Sequence, residues 1–131
     1  MNENALLYEY AVLRYVPRIE REEFINVGLM MMCKRRRWLR VAVSLDRDRL
    51  SAFDRGVDIE SLRRQLAMFD ASSPALADAP VEERFRWFSA VKSSSIQTSR
   101  PHPGLIPHPD PSSPAESLTR EFDRLFATLV L

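Results

Sequence analysis

The residues from Tyr8 to Leu45 constrain the fold most, because they contain three strand-like runs in succession. The first run, residues 5 to 16, is largely apolar on both alternating sides, which predicts an interior strand covered on each face. The second run, Phe24 to Cys33, and the third, Trp38 to Leu45, are separated by only four residues and predict a hairpin. We therefore expect a three-stranded antiparallel meander.

Alternation along the hairpin predicts two different faces. The predicted apolar face consists of Ile25, Val27, Leu29, Met31 and Cys33 from the second strand and Leu39, Val41, Val43 and Leu45 from the third. The opposite face then carries Asn26, Gly28 and Arg40, together with Arg14 from the first strand, and Glu23 lies at its rim.

Asn26 and Gly28 need a physical reason, because Asn and Gly weaken a strand that is otherwise built from Phe, Ile, Val, Leu and Met. With Arg14, Glu23 and Arg40 they could form a binding face, since guanidinium groups match carboxylate or phosphate. The structural alternative is that Arg14 and Glu23 form an ion pair and that Gly28 merely permits a bulge or a covering side chain.

The second half of the chain changes to helical periodicity. Asp46 and Asp58 are placed to cap helices, Pro80 suits the first turn of an aromatic-rich helix, and residues 96 to 98 could form a brief edge strand. Six prolines between residues 100 and 114 predict an extended crossing.

The last helix has a clear predicted start. Ser113, Pro114 and Glu116 fit a capping box, and an apolar stripe follows at Leu118, Phe122, Leu125, Phe126 and Leu129. The sequence thus predicts one α+β domain over residues 1 to 131, with an antiparallel sheet, three to four helices and a C-terminal helix.

Composition excludes several classes of function. The net charge is +1 over 131 residues, so no chain-wide field attracts nucleic acid or anionic lipid. The start of the sequence lacks signal-peptide character and no apolar run reaches the length of a membrane span, so we expect a cytoplasmic protein. Cys33 is the single cysteine and is expected to be a structural thiol. We expect no cofactor, and His102 and His108 in a proline-rich segment do not predict a metal site.

A local basic run supplies a second candidate site. Lys34, Arg35, Arg36 and Arg37 are followed directly by Trp38, and cations beside an aromatic ring are typical of nucleic-acid contact. At the tip of a hairpin, the same run is also typical of a solvated turn that resists aggregation.

Three segments together resemble the bacterial family named domain of unknown function 3037. They are YEYAVLRYVP at residues 8 to 17, EFINVG at 23 to 28, and HPGL at 102 to 105, followed by a terminal helix rich in Leu and Phe. The resemblance implies a small bacterial protein whose gene often lies beside that of a HipA-like kinase. It implies no reaction and no catalytic residues.

The residues and the resemblance lead to one function and two alternatives. We expect a non-catalytic binding or accessory subunit that docks on a protein partner such as a HipA-like kinase. The alternatives are nucleic-acid binding through Lys34 to Arg40, and an enzyme subunit that uses Arg14, Glu23, Asn26 and Arg40 on a small peptide or anionic ligand.

Overall fold

The chain forms a five-stranded antiparallel sheet with helices packed against both of its faces. The structure, a computed structural model, describes residues 4–90, 93 and 95–131. The strands are β1 Leu6–Tyr15, β2 Ile25–Cys33, β3 Trp38–Val43, β4 Ile96–Thr98 and β5 His102–Ile106. The helices are α1 Arg47–Phe53, α2 Ile59–Leu66, α3 Val81–Ala90 and α4 Pro114–Leu129. The α+β class, the antiparallel meander and the C-terminal helix are confirmed.

The sheet has the order β3-β2-β1-β4, and β5 also pairs with β1. β4 pairs with Leu13–Tyr15 and β5 pairs with Leu6–Tyr10, so these two short strands lie end to end along the side of β1 that β2 leaves open. The long β1 strand is therefore interior, as its two apolar sides predict.

Helices cover both faces of the sheet. One core contains apolar residues of α1, α2 and α3, packed against Ala11, Leu13 and Met30 of the sheet. The other core contains α4, whose buried Leu118 and Phe122 pack with Val12 and Leu29. The predicted stripe of α4 is confirmed, since Phe126 and Leu129 also pack against this second core.

The prediction that the hairpin has a single apolar face is wrong. Ile25 and Val27 face the α1–α3 layer, but Leu29, Met31 and Cys33 face α4. The reason is a β-bulge: Leu13 pairs with Gly28 and Arg14 pairs with Asn26, so one extra residue reverses the alternation of β2. From β3, Leu39 and Val41 face the α1–α3 layer, whereas Val43 is exposed.

Two predicted helix caps form and a third does not. The Asp46 carboxylate accepts a hydrogen bond from the Arg49 amide, and the Asp58 carboxylate accepts one from the Ser61 amide. α4 begins at Pro114 as predicted, but Ser113 makes no side-chain cap hydrogen bond, so the capping box is not formed.

The predicted extended crossing is partly a strand. Residues His102–Ile106 pair with β1 despite Pro103, because β5 lies at the open edge of the sheet, where a missing amide donor is tolerated. The predicted short strand at residues 96 to 98 is confirmed as β4. Across the described residues, no helix has both the length and the apolar content needed to cross a bilayer.

Candidate functional site

The α1–α3 face of the sheet is left open at the start of β1. Glu9 pairs with Met32 on one side and with Pro103 on the other, and Leu7 pairs with Leu105 in the next row. The side chains in these cross-strand rows lie on the same face of the sheet as Ala11 and Leu13, but beyond the end of the helices that cover Ala11 and Leu13. Leu7 is 66% exposed and Leu105 is 41% exposed.

A groove of about 800 Å³ lies over this open part of the sheet. Its floor includes Leu7, Met32 and Pro103. Four cationic residues line it, namely Lys34, Arg35 and Arg37 from the β2–β3 turn and Arg86 from α3, and two acidic residues, Glu9 and Glu82, lie among them. We call this the sheet groove; it has an apolar floor and a rim with an excess of positive charge.

The β2–β3 turn raises its cations into solvent. Residues 34 to 37 are all exposed, and Arg37 adopts a left-handed backbone conformation with φ of 51°. The Arg37 amide donates to the Lys34 carbonyl at 3.1 Å and closes the turn. The predicted basic run is therefore at the surface, and most of it borders the sheet groove.

Trp38 does not accompany the basic run. Its ring meets that of Phe122 edge to face at 6.3 Å, in the core formed with α4, so it lies on the opposite side of the sheet from the groove. Tyr8 is also turned to that side and is only 6% exposed. Neither ring is placed as a stacking platform for a base in the groove.

Arg14, Asn26 and Arg40 lie on one side of the sheet, as predicted. That side is not open, because α4 packs on it. The Asn26 amide donates to the Leu129 carbonyl at 2.9 Å. The Arg40 guanidinium lies 5.7 Å from the centre of the Phe122 ring. Asn26 thus binds a free carbonyl at the end of α4, which gives the unusual residue in β2 a structural role.

Two of the predicted site residues are separate from this group. A side chain at Gly28 would not point to α4: its Cβ would lie 2.9 Å from the Ala42 carbonyl oxygen and 2.9 Å from Leu13. Of the structural alternatives for Gly28, a bulge or a covering side chain, the bulge is confirmed. Glu23 forms its ion pair with Arg21, and the Arg14 guanidinium lies 4.1 Å from the centre of the Phe24 ring, so the alternative of an Arg14–Glu23 pair is wrong.

A polar network connects β1 to α4 beside β5. The Tyr8 hydroxyl donates to the Glu121 carboxylate at 2.5 Å, and Arg124 donates to the same carboxylate at 2.7 and 3.0 Å. The bonds from Arg124 are the main reason that the pKa of Glu121 lies below its ordinary value, while burial and the Glu121 contact raise the pKa of Tyr8. Glu121 is thus held as a carboxylate between a phenol and a guanidinium.

Gly104 makes this network possible. A Cβ atom at residue 104 would lie 2.2 and 2.4 Å from two carbon atoms of the Tyr8 ring and 2.5 Å from the Tyr8 hydroxyl oxygen, so the ring crosses β5 directly over the glycine. The HPGL segment therefore contains the one residue type that lets Tyr8 reach Glu121.

His102 and His108 lie in and beside β5. The His102 ring lies 5.3 Å from the ring of Tyr10. Among the residues that the structure describes, no three His, Cys, Asp or Glu side chains are grouped so that they could hold a metal ion.

Sequence reasoning missed the sheet groove. Its floor depends on Pro103 of β5 lying beside the start of β1, and the pairing of β5 with β1 is not visible in a segment so rich in proline. The available signal was Leu7 itself, a large apolar residue on the same alternating side as Glu9.

The fold and the groove define a small α+β protein with a sheet covered by helices on both faces and one open, basic-rimmed apolar surface. Residues 10–130 match the family model described as "Protein of unknown function (DUF3037)", and the chain belongs to this family. No curated protein and no solved structure gives a significant match to the chain.

Proposed function

We propose that this protein is a non-catalytic binding subunit that docks on a protein partner through the sheet groove. The observation that supports this most is that Leu7, which is exposed, forms part of the floor of the groove beside a row of cations, with the exposed Leu105 paired to it from β5. Exposed apolar surface with a polar rim is typical of protein interfaces.

The charges of the groove favour a protein over a nucleic acid. Glu9 and Glu82 lie among the cations, and a phosphate backbone, which repeats its charge at every nucleotide, would be repelled at both positions, whereas a protein segment can place uncharged residues there. The tryptophan that would be needed for stacking packs on Phe122 instead. A protein surface can place an apolar group over Leu7 and acidic groups beside the turn.

A HipA-like kinase is the first partner to test, because the family resemblance implies one. A photo-reactive phenylalanine analogue placed at Leu7 should cross-link to a purified HipA-like kinase. Leu7 is exposed, so the replacement should leave the fold intact. The same analogue at Ser51, an exposed position on α1, is the matched control.

The expected result is a cross-link from position 7 that is absent from position 51. An excess of the unmodified protein should compete this cross-link away, whereas an excess of Leu7→Glu should leave most of it in place. Equal cross-linking from both positions, or a complex that forms without any product from position 7, would refute docking through the groove.

Nucleic-acid binding is the second candidate, favoured by four consecutive exposed cations at residues 34 to 37. Its test is the salt dependence of oligonucleotide binding.

A further inference from the structure

The sheet groove continues past the β2–β3 turn. A second cleft of about 600 Å³ is lined by residues 77 to 81 and by Arg84 of α3. Lys34, Arg37 and Glu82 line both spaces, so they form one path along the turn and the start of α3. A ligand that follows this path must contact Leu7 at one end and the loop before α3 at the other.

The path has more positive than negative side chains along its whole length. The cations are Lys34, Arg35, Arg37, Arg84 and Arg86, and the acidic residues are Glu9, Asp78 and Glu82. Acidic groups on a ligand would be attracted to the turn, whereas the apolar floor at Leu7 and Met32 would accept one uncharged side chain.

We propose that the path binds an extended acidic segment of a protein, with one large apolar side chain seated over Leu7 and Met32 and carboxylates beside Lys34 and Arg37. This proposal rests on the proposed function and specifies the chemistry of the partner. An extended segment fits because its residues follow one another about 3.3 Å apart, so a single segment can present an apolar side chain and carboxylates to successive parts of the path.

The proposal can be tested with synthetic peptides and NMR of the full-length ¹⁵N-labelled protein. The first peptide is short, acetylated and made of Glu, Asp and Ser with one central Leu. In the second, Ser replaces the Leu; in the third, Lys replaces the acidic residues. The first should shift the signals of residues 7, 32 and 34 to 37, and the second should bind about tenfold more weakly because the buried leucine is lost.

Charge reversal supplies the matched variants. Lys34→Glu and Arg37→Glu should each weaken binding of the first peptide about fivefold, as expected for one exposed charge contact. Arg64→Glu changes the net charge equally at an exposed position of α2 that does not line the path, and it should bind like the unaltered protein.

Each other outcome contradicts the proposal in a recognisable way. Equal binding of the leucine and serine peptides would refute the apolar seat, and binding of the lysine peptide would refute the charge argument. A single-stranded oligonucleotide that displaces the first peptide and binds more tightly would assign the path to nucleic acid. If no peptide binds while position 7 still cross-links to a partner, the acidic segment is wrong and the docking function stands.

Discussion

Replacing Gly104 with alanine should destabilise the protein strongly, because of the Tyr8 ring that crosses it. The new Cβ would lie 2.2 Å from the nearest ring atom, and ordinary contact begins near 3.4 Å, so the ring must withdraw by about 1.2 Å. The ring cannot simply turn into solvent, since Tyr8 is buried and its hydroxyl is bonded to Glu121 at 2.5 Å.

The expected cost follows from these contacts. Overpacking a tight site costs about 1–3 kcal/mol, and loss of a hydrogen bond to a charged group costs about 1.5–3 kcal/mol. The two effects overlap, because withdrawal of the ring relieves the clash and breaks the bond together, so we expect about 2–4 kcal/mol in total. Urea unfolding, followed by tryptophan fluorescence and far-ultraviolet circular dichroism, measures this difference.

The other two glycines provide graded controls. At Gly56 the nearest atom to an added Cβ is the Asp54 carboxylate at 3.8 Å, so Gly56→Ala should change stability by less than about 0.5 kcal/mol. At Gly28 the Cβ would press on the Ala42 carbonyl, so Gly28→Ala should cost about 1–3 kcal/mol.

A double-mutant cycle isolates the cause. If the Tyr8 ring is what Gly104 accommodates, Gly104→Ala should cost nearly nothing in a Tyr8→Ala background. The reasoning is refuted if Gly104→Ala is as mild as Gly56→Ala, or if its cost is the same with and without the Tyr8 ring.

Changes at three further sites test other contacts. Glu121→Gln should reduce the dependence of unfolding free energy on pH in the acid range. The pKa of Glu121 is lowered in the folded protein, so its carboxylate stabilises the fold above about pH 4.3. This contribution is lost as pH falls through the folded pKa, and the Gln variant lacks it at every pH. Asn26→Ala should cost about 1–2 kcal/mol in urea unfolding, and Asn26→Asp should cost more, because a carboxylate cannot donate to Leu129 and faces the negative end of α4. Replacing residues 35 to 37 with serine should reduce the slope of log K against log salt concentration for oligonucleotide binding by about three if the three residues contact phosphates.

Each of these tests has a clear opposite result. The acid effect is contradicted if the difference between the unaltered protein and Glu121→Gln stays constant from pH 7 to pH 3, and Glu60→Gln on the exposed surface of α2 is its control. Asn26→Asp with unchanged stability would contradict the role of Asn26 at the end of α4. An unchanged salt slope after the serine replacements would remove the nucleic-acid alternative.

The sequence predicted the elements well where the determining contacts are local. Asp46 and Asp58 bond to amides three residues further along, and both helices begin where these caps indicate. The stripe of α4 repeats at helical spacing and is buried as a stripe. Such patterns require only near neighbours in the chain, so they can be recognised without knowing the rest of the structure.

The candidate faces of the sheet were predicted less well, and the bulge explains why. One extra residue beside Gly28 reverses which side chains of β2 face α4, and a pattern with period two cannot show where that reversal falls. Arg14, Asn26 and Arg40 were placed on one side correctly. The sequence pattern could not show that α4 covers this side or that Asn26 binds its last turn, because α4 lies about a hundred residues later in the chain.

The amino-acid sequence by itself determined the first three strands, the helix caps at Asp46 and Asp58 and the amphipathic character of the last helix. Only the tertiary structure decided that β5 pairs with β1, that Tyr8 crosses Gly104 and that Leu7 remains open beside the basic turn. The physical reason is that secondary structure depends on short-range periodicity and hydrogen bonding, whereas a groove exists only where distant segments meet and leave part of a face uncovered.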